Sequence, residues 1–404
     1  MQLFTGFSLL QSWFLKYFLI PYFTTRKIDL HLGDTEPLRI WLLHFVVIWT
    51  FNLGKIFQKL GICSQINFVR FAMKLVPQAK DPKLYIIDTT FENVPVRIYQ
   101  PKKTNPGLRK GVLFMHGGCG IFGCKKTYGE LCSYLSRESD TVVVFVEYRL
   151  GPEHQHPAQL SDGLSTTLYF MKHAKDYGVD PNHILLAGDS SGGTLVAVVC
   201  QELTKIENQP KIRAQILIYP FLQRMDLMLP SYLQNQHGPF LTKKRALSLA
   251  LKFVNQECVD KEKMGRNGHV PEDMKQKFKK WISADLIPSE FKVRGYNPPM
   301  PAPFSKELYA ATRLNDNTMQ SPIISEDDIV KQLPETYILT CEYDLLRDDG
   351  LLYKKRLEDN GVPVTWNHLQ EGFHGFIPFI NSGVFEFSFT KSAVGNIVSF
   401  IKGL

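Results

Sequence analysis

The sequence predicts an α/β protein with a mostly parallel central sheet covered by helices on both faces. Two observations carry this. From residue 84 onward, short Val/Ile/Leu runs alternate with helix-like stretches, the pattern of strands buried on both sides. At Gly188-Asp189-Ser190-Ser191-Gly192, an apolar run (184–187) passes through a tight turn into a helix-like run (194–199). Strand, turn and helix with a serine at the apex and glycines two residues to either side is a nucleophile elbow. Its apex is backbone-strained, and side chains at the flanking positions would collide with strand or helix. Only Ser190 has glycine on both sides at that spacing, so Ser191 supplies the neighbouring N–H.

Taken in order, residues 3–23 are apolar and aromatic, interrupted mainly by Lys16 and Gln11, and long enough to cross a bilayer. No basic start or small-residue cleavage site marks a removed signal, so residues 1–25 are expected to be a retained membrane anchor. A second apolar run, 40–53, is short for a span and suits a helix lying on the body or dipping into the interface. Residues 26–82 form a helical segment contributing to a lid, and the polar stretch Pro77-Gln78-Ala79-Lys80-Asp81-Pro82 marks its boundary with the catalytic domain, 83–404. Strands are expected at 84–89 and 94–99 as a hairpin, then at 111–115, 141–146, 184–187, 214–218, 336–340 and 362–366. Helices are expected near 127–137, 159–177, 194–206 and 351–360. Between about 221 and 320 the alternation stops in a stretch rich in aromatics, prolines and charge. It is too long for a bare loop and reads as a helical lid over the carboxyl edge of the sheet.

Composition is that of a folded chain with a sizeable core: 404 residues, 44% hydrophobic and 21% charged. The net charge of +8 is mild, and the basic residues from Lys261 to Lys280 are mixed with acids and lack a nucleic-acid motif. They read as a solvated helix face, with contact to an anionic membrane surface as the alternative. Seven cysteines form neither a disulfide framework nor a zinc pattern. No metal or organic cofactor is expected.

Three further stretches supply chemistry. His116-Gly117-Gly118-Cys119-Gly120 follows a strand and can present backbone N–H groups; Gly117, Gly118 and Ser191 are assigned to an oxyanion hole. Asp344 follows the strand at 336–340, at the edge where ligands collect in open α/β sheets. Its competitors are Glu342, Asp348 and Asp349; the last two start a helix, where carboxylates cap or meet the dipole. His374, between Gly372 and Gly375, follows the last strand, whereas His154 and His156 read as structural and His368 falls within or just after a strand. The order Ser190, Asp344, His374 is that of an α/β-hydrolase triad and not of the two protease folds sharing it. Ser190 attacks a carboxylic ester or aryl amide, His374 moves the proton and Asp344 orients the ring. The lid and the aromatic amino terminus point to an apolar, membrane-partitioning substrate.

His116-Gly117-Gly118, Tyr148-Arg149-Leu150-Gly151-Pro152-Glu153-His154, Gly188 to Gly193, Cys341 to Asp349 and Gly372-Phe373-His374-Gly375 together resemble the hormone-sensitive-lipase-like esterases, and among them the arylacetamide deacetylase-like proteins. The resemblance spans nearly the whole chain. It implies the α/β-hydrolase fold and a signal-anchored, single-pass protein of the endoplasmic reticulum with a lumenal catalytic domain. Arg26 and Lys27, which follow the anchor, would by charge alone favour the opposite orientation. The sequence departs from the family at Cys119, where a third loop glycine is usual, and at Gly120, where an aromatic is usual. Relatives also carry a cysteine at the position of Ile121, suited to bridging the one matching Cys341, which implies a bridge here from Cys341 to Cys119 or Cys124. The alternative function is a membrane-anchored, lipid-binding pseudo-esterase weakened by Cys119.

Overall fold

In a computed structural model of the chain, the structure describes residues 36–78, 81–207, 210–256, 259–312 and 320–404. The expected anchor, residues 1–25, lies outside them. Eight strands form one sheet: β1 (Leu84–Phe91), β2 (Val94–Pro101), β3 (Arg109–Met115), β4 (Val142–Val146), β5 (Val179–Asp189), β6 (Ala214–Ile218), β7 (Glu335–Tyr343) and β8 (Val364–Phe373). Their spatial order is β1-β2-β4-β3-β5-β6-β7-β8. The first two pairings, β1 with β2 and β2 with β4, are antiparallel, and all the others are parallel. The expected hairpin turns at Glu92 and Asn93, both at positive φ (46° and 66°), the two-residue turn that suits the right-handed twist of paired strands.

Thirteen α-helices are described: α1 (Pro37–Lys59), α2 (Gln65–Lys74), α3 (Gly129–Ser139), α4 (Ala158–His173), α5 (Ser191–Leu203), α6 (Pro230–Gln234), α7 (Lys243–Phe253), α8 (Lys261–Gly265), α9 (Glu272–Phe278), α10 (Lys306–Thr312), α11 (Asp327–Val330), α12 (Arg347–Asp359) and α13 (Ser388–Gly403). The period-2 alternation of the central strands divides the core in two. Leu113, Met115, Val144 and Leu186 pack with Phe170 of α4, Val196 of α5 and Leu352 of α12. Val112, Phe114, Phe145 and Leu185 face the other way, onto Leu131 of α3, Ile397 of α13 and Ile40 and Leu43 of α1. All five β4 residues are buried, as a strand covered on both faces requires.

Three features exceed the sequence expectations. Strand β8 continues to Phe373, so His368 lies within it and bonds Thr340 of the neighbouring strand at 2.9 Å. Helix α13 was not anticipated. The apolar run at 40–53 belongs to a helix of 23 residues, long and apolar enough by length and composition to cross a membrane. His44 and Asn52 interrupt its hydrophobicity without interrupting its backbone. Here α1 lies against the body: Ile40, Leu43 and His44 are buried, and Phe51 meets Phe122 edge-on with ring centres 5.6 Å apart.

Candidate active site

The strand order places the site. Strands β3 and β5 are neighbours, but β3 leads leftward to β4 and β5 leads rightward to β6, so the sheet switches direction between them. Loops leaving the carboxyl ends of strands at such a switch point diverge and leave a crevice. The loop after β3 begins at His116 and the turn after β5 holds Ser190, with Met115 paired to Gly188 across the two strands. A side chain at Gly192 would put its Cβ 2.1 Å from the Met115 carbonyl oxygen, so the glycine lets the start of α5 sit against β3. Ser190 itself takes φ 54° and ψ −123°, the strained apex expected of the turn.

The other two groups arrive on adjacent strands. Asp344 follows β7, where its Oδ1 accepts from the Leu346 N–H at 2.8 Å and its carbonyl accepts from Asn235 Nδ2 at 2.8 Å. His374 follows β8. Its Nδ1 lies 2.9 Å from Asp344 Oδ2 and its Nε2 lies 2.9 Å from Ser190 Oγ. Asp344 is fully buried, and Ser190 and His374 nearly so. Gly375 takes φ 81° beneath Phe240, and a Cβ there would come within 2.5 Å of that ring. This explains the glycine beside the histidine as room for an aromatic from the β6–β7 insertion.

The loop after β3 departs from the expected oxyanion assignment. The Gly117 N–H donates to Asp189 Oδ1 at 2.7 Å, with Tyr128 Oη at 3.2 Å, and is therefore committed to the protein. A buried carboxylate one residue before the serine outcompetes any neutral acceptor for that donor. Asp189 also accepts from Tyr128 Oη at 3.0 Å and, more distantly, from Tyr219 Oη at 3.4 Å. Burial pushes its carboxyl up to about 6, opposed by these donors. The Gly118, Cys119 and Ser191 N–H groups have no protein acceptor among the described residues. Gly118, Cys119 and Gly120 all lie at positive φ (112°, 57° and 66°), so Cys119 holds a glycine-like conformation. His116 stacks on Tyr148 with centres 4.3 Å apart, and its ring is held neutral by burial, which lowers it to about 4.

The competing carboxylates have other work. Asp349 accepts from the Leu222 N–H and from Gln223 Nε2, both at 3.0 Å, and Asp348 accepts from the Ser231 N–H at 2.7 Å. They reach across to the segment after β6 instead of capping α12. Glu342 joins Arg294 and Arg347, each at 2.9 Å. The implied disulfide does not form: Cys119, Cys124 and Cys341 are all unbridged, and Cys341 is buried within β7. Asp189, Tyr128, Tyr219 and Asn235 were not singled out beforehand, since their roles depend on contacts between distant segments. Asp189 had one visible signal, an acid buried by the elbow itself.

A cavity of about 160 Å³ opens beside Ser190. Its wall includes Cys119, Leu195, Phe221, Leu247, Ala250 and Phe253, the last three from α7. Helix α2 closes this end from outside: Arg70 donates to the Ile121 carbonyl at 2.9 Å and the Gly151 carbonyl at 2.5 Å and pairs with Glu153 at 2.8 Å.

A serine, an imidazole and a carboxylate in hydrogen-bonded sequence at the carboxyl edge of a parallel sheet define the class of the α/β-hydrolases. A family model described as alpha/beta hydrolase fold matches residues 112–265 and 296–378. The human arylacetamide deacetylase-like 4 protein is 41% identical over 369 residues, 91% of each chain. Bovine arylacetamide deacetylase is 34% identical over 352 residues, 85% of this chain and 88% of that protein. The crystal structure of carboxyl esterase 2 from the fungus Tuber melanosporum superposes with a TM-score of 0.60 at 22% identity, covering 81% of this chain and 88% of that one. The chain belongs to the arylacetamide deacetylase-like family of α/β-hydrolases.

Proposed function

We propose that this carboxylic ester hydrolase cleaves apolar carboxylic esters or aryl amides through Ser190, His374 and Asp344 by way of an acyl-enzyme. The observation that carries the reading is the pair of 2.9 Å contacts joining the three side chains. His374 Nε2 takes the Ser190 proton as Oγ attacks the carbonyl carbon, and returns it to the leaving group. Water then repeats the sequence on the acyl-enzyme. Asp344 holds Nδ1–H and so presents Nε2 as the base. With Gly117 engaged by Asp189, the oxyanion falls to the N–H groups of Gly118, Cys119 and Ser191, each donor contributing about 10²–10³ in rate. The apolar cavity wall supports an apolar substrate, and the β6–β7 insertion with α1 and α2 serves as its lid. Ser190→Ala is expected to abolish hydrolysis of p-nitrophenyl butyrate while keeping the wild-type unfolding transition. Full activity in that protein would end the assignment.

We further propose work at a membrane, in the endoplasmic reticulum with the catalytic domain lumenal; the family resemblance supports the location, and the apolar helix α1 supports membrane association. Retention in the pellet after carbonate extraction, with protease protection of the catalytic domain in intact microsomes, is the expected result. Cys119 gives a second reading its footing: a lipid-binding protein that keeps the triad but has lost rate. A folded protein in which a fluorophosphonate leaves Ser190 unlabelled would favour it.

A further inference from the structure

The cavity beside Ser190 is mostly apolar, yet a guanidinium is built into its wall. Arg224 lines it with His156, His269 and Gln320. One terminal nitrogen of Arg224 donates to the Gln320 side chain and the other to the Thr312 carbonyl at 2.6 Å. Arginine has five N–H donors. The other three have no acceptor among the described residues, where Arg224 also makes no ion pair. None of the described residues that line the cavity with it carries a carboxylate. Burial, with the Arg224 charge beside them, lowers both His156 and His269, the latter to about 4. Lys243 also lines the cavity and spends its ammonium on the Leu227 and Gly265 carbonyls at 2.6 and 2.9 Å. Asp226 is held by Asn267 Nδ2 and the Met228 N–H, both at 2.8 Å.

A cation in an apolar wall that makes no ion pair among the described residues is costly unless a partner arrives. Burial lowers the Arg224 guanidinium only to about 10, so it stays charged at neutral pH. It is also within reach of the chemistry. The Phe221 N–H bonds the Ser190 carbonyl at 3.3 Å, and the three residues from Phe221 to Arg224 extend at most about 11 Å.

We propose that Arg224 forms an anion subsite of the substrate cavity, so that the preferred substrates are esters or amides carrying a carboxylate one chain length from the scissile carbonyl. This rests on the hydrolase reading above. The planar fork of a guanidinium matches a carboxylate bidentately, and the apolar wall between Arg224 and Ser190 suits the intervening hydrocarbon. The carboxylate belongs either to the acyl chain or to the leaving group, and the test separates these.

Binding is measured first in full-length Ser190→Ala protein, which needs no turnover, by titration with monomethyl suberate and with dimethyl suberate. The half-ester is expected to bind about ten- to a hundredfold more tightly. Arg224→Met should erase that preference and Arg224→Lys should keep part of it. Arg245→Met, which removes a buried cation of α7, should leave it in place. Equal affinities in the Arg224-bearing protein, or a preference that survives in folded Arg224→Met protein, overturn the proposal. Turnover in wild type then compares the p-nitrophenyl monoester of suberic acid with p-nitrophenyl octanoate, and carboxymethylphenyl acetate with methylphenyl acetate. The pair whose kcat/KM ratio collapses in Arg224→Met locates the carboxylate on the acyl or the leaving side; a preference in neither pair overturns the proposal. Loss of all hydrolysis and of fluorophosphonate labelling, with half-ester selectivity intact, would strike the hydrolase reading and leave the subsite standing.

Discussion

Asp189 sits one residue before the candidate nucleophile, yet its contacts govern the loop across from it. By accepting from the Gly117 N–H it ties the first glycine of that loop to the elbow, and Tyr128 shares both partners. Tyr128→Phe would leave a buried carboxylate short of one donor. A loss of about 1–3 kcal/mol in urea unfolding is expected, with a smaller effect on hydrolysis. Gly117→Ala is predicted to be worse for activity. Its Cβ would lie 2.6 Å from Asp189 Oδ2 and 3.0 Å from Ser190 Cβ, forcing the loop off the elbow. Hydrolysis should fall by at least about a hundredfold as the donors lose their aim. Cys119 already pays the strain of a φ of 57° that glycine adopts freely. Cys119→Gly should therefore raise the unfolding midpoint or leave it unchanged, and a rise in kcat would show that the Cβ had been restraining the loop.

Helix α2 is a brace for the loop after β3. The Arg70 side chain is its only described link to the Ile121 and Gly151 carbonyls, with Glu153 completing the charge pairing. Ile66 and Val69 of the same helix pack on Ile121, Phe122 and Leu249. Arg70→Met would keep the hydrocarbon contact and lose the donors. A drop in kcat of about tenfold is expected, with faster proteolysis between α2 and β1, because charge-assisted bonds of this kind contribute about 1.5–3 kcal/mol. If kcat is unchanged, the loop holds its shape without the helix. The sequence carried the strands of the central sheet well, since runs such as Val142–Val146 can be buried only between two layers. Helix α13 was less legible because its buried residues Val394, Ile397 and Ile401 are spaced among polar ones and read clearly only once the face of the sheet they cover is known.

Across the whole molecule, two buried carboxyls outside the candidate triad bend the pH dependence of stability. Burial raises Asp189 to about 6 and Asp349 to about 7, against an ordinary 3.8. A carboxyl that binds its proton more tightly when folded favours folding below about pH 4, and that contribution is lost as pH rises through the raised value. Stability from these groups therefore falls between about pH 4 and pH 7, by at most about 1.4 kcal/mol per pH unit for each. Asp349→Asn should be less stable overall, since it turns an amide toward donors, but its urea midpoint should change less with pH than wild type across that window. An identical slope would mean that Asp349 ionises normally.

The residues of Ser190, Asp344 and His374 and their order along the chain were readable from sequence, because a strained turn demands glycines, and strand ends are marked by apolar runs that stop. The sequence likewise determined the α/β architecture through its alternation of buried strands and helices. Only the tertiary structure decided which N–H groups of the loop after β3 are free, where α1 lies, and that Arg224 enters the same cavity as Ser190. Those outcomes depend on which distant segments come within hydrogen-bonding reach, and the spacing of residues along a chain does not encode competition for a single donor.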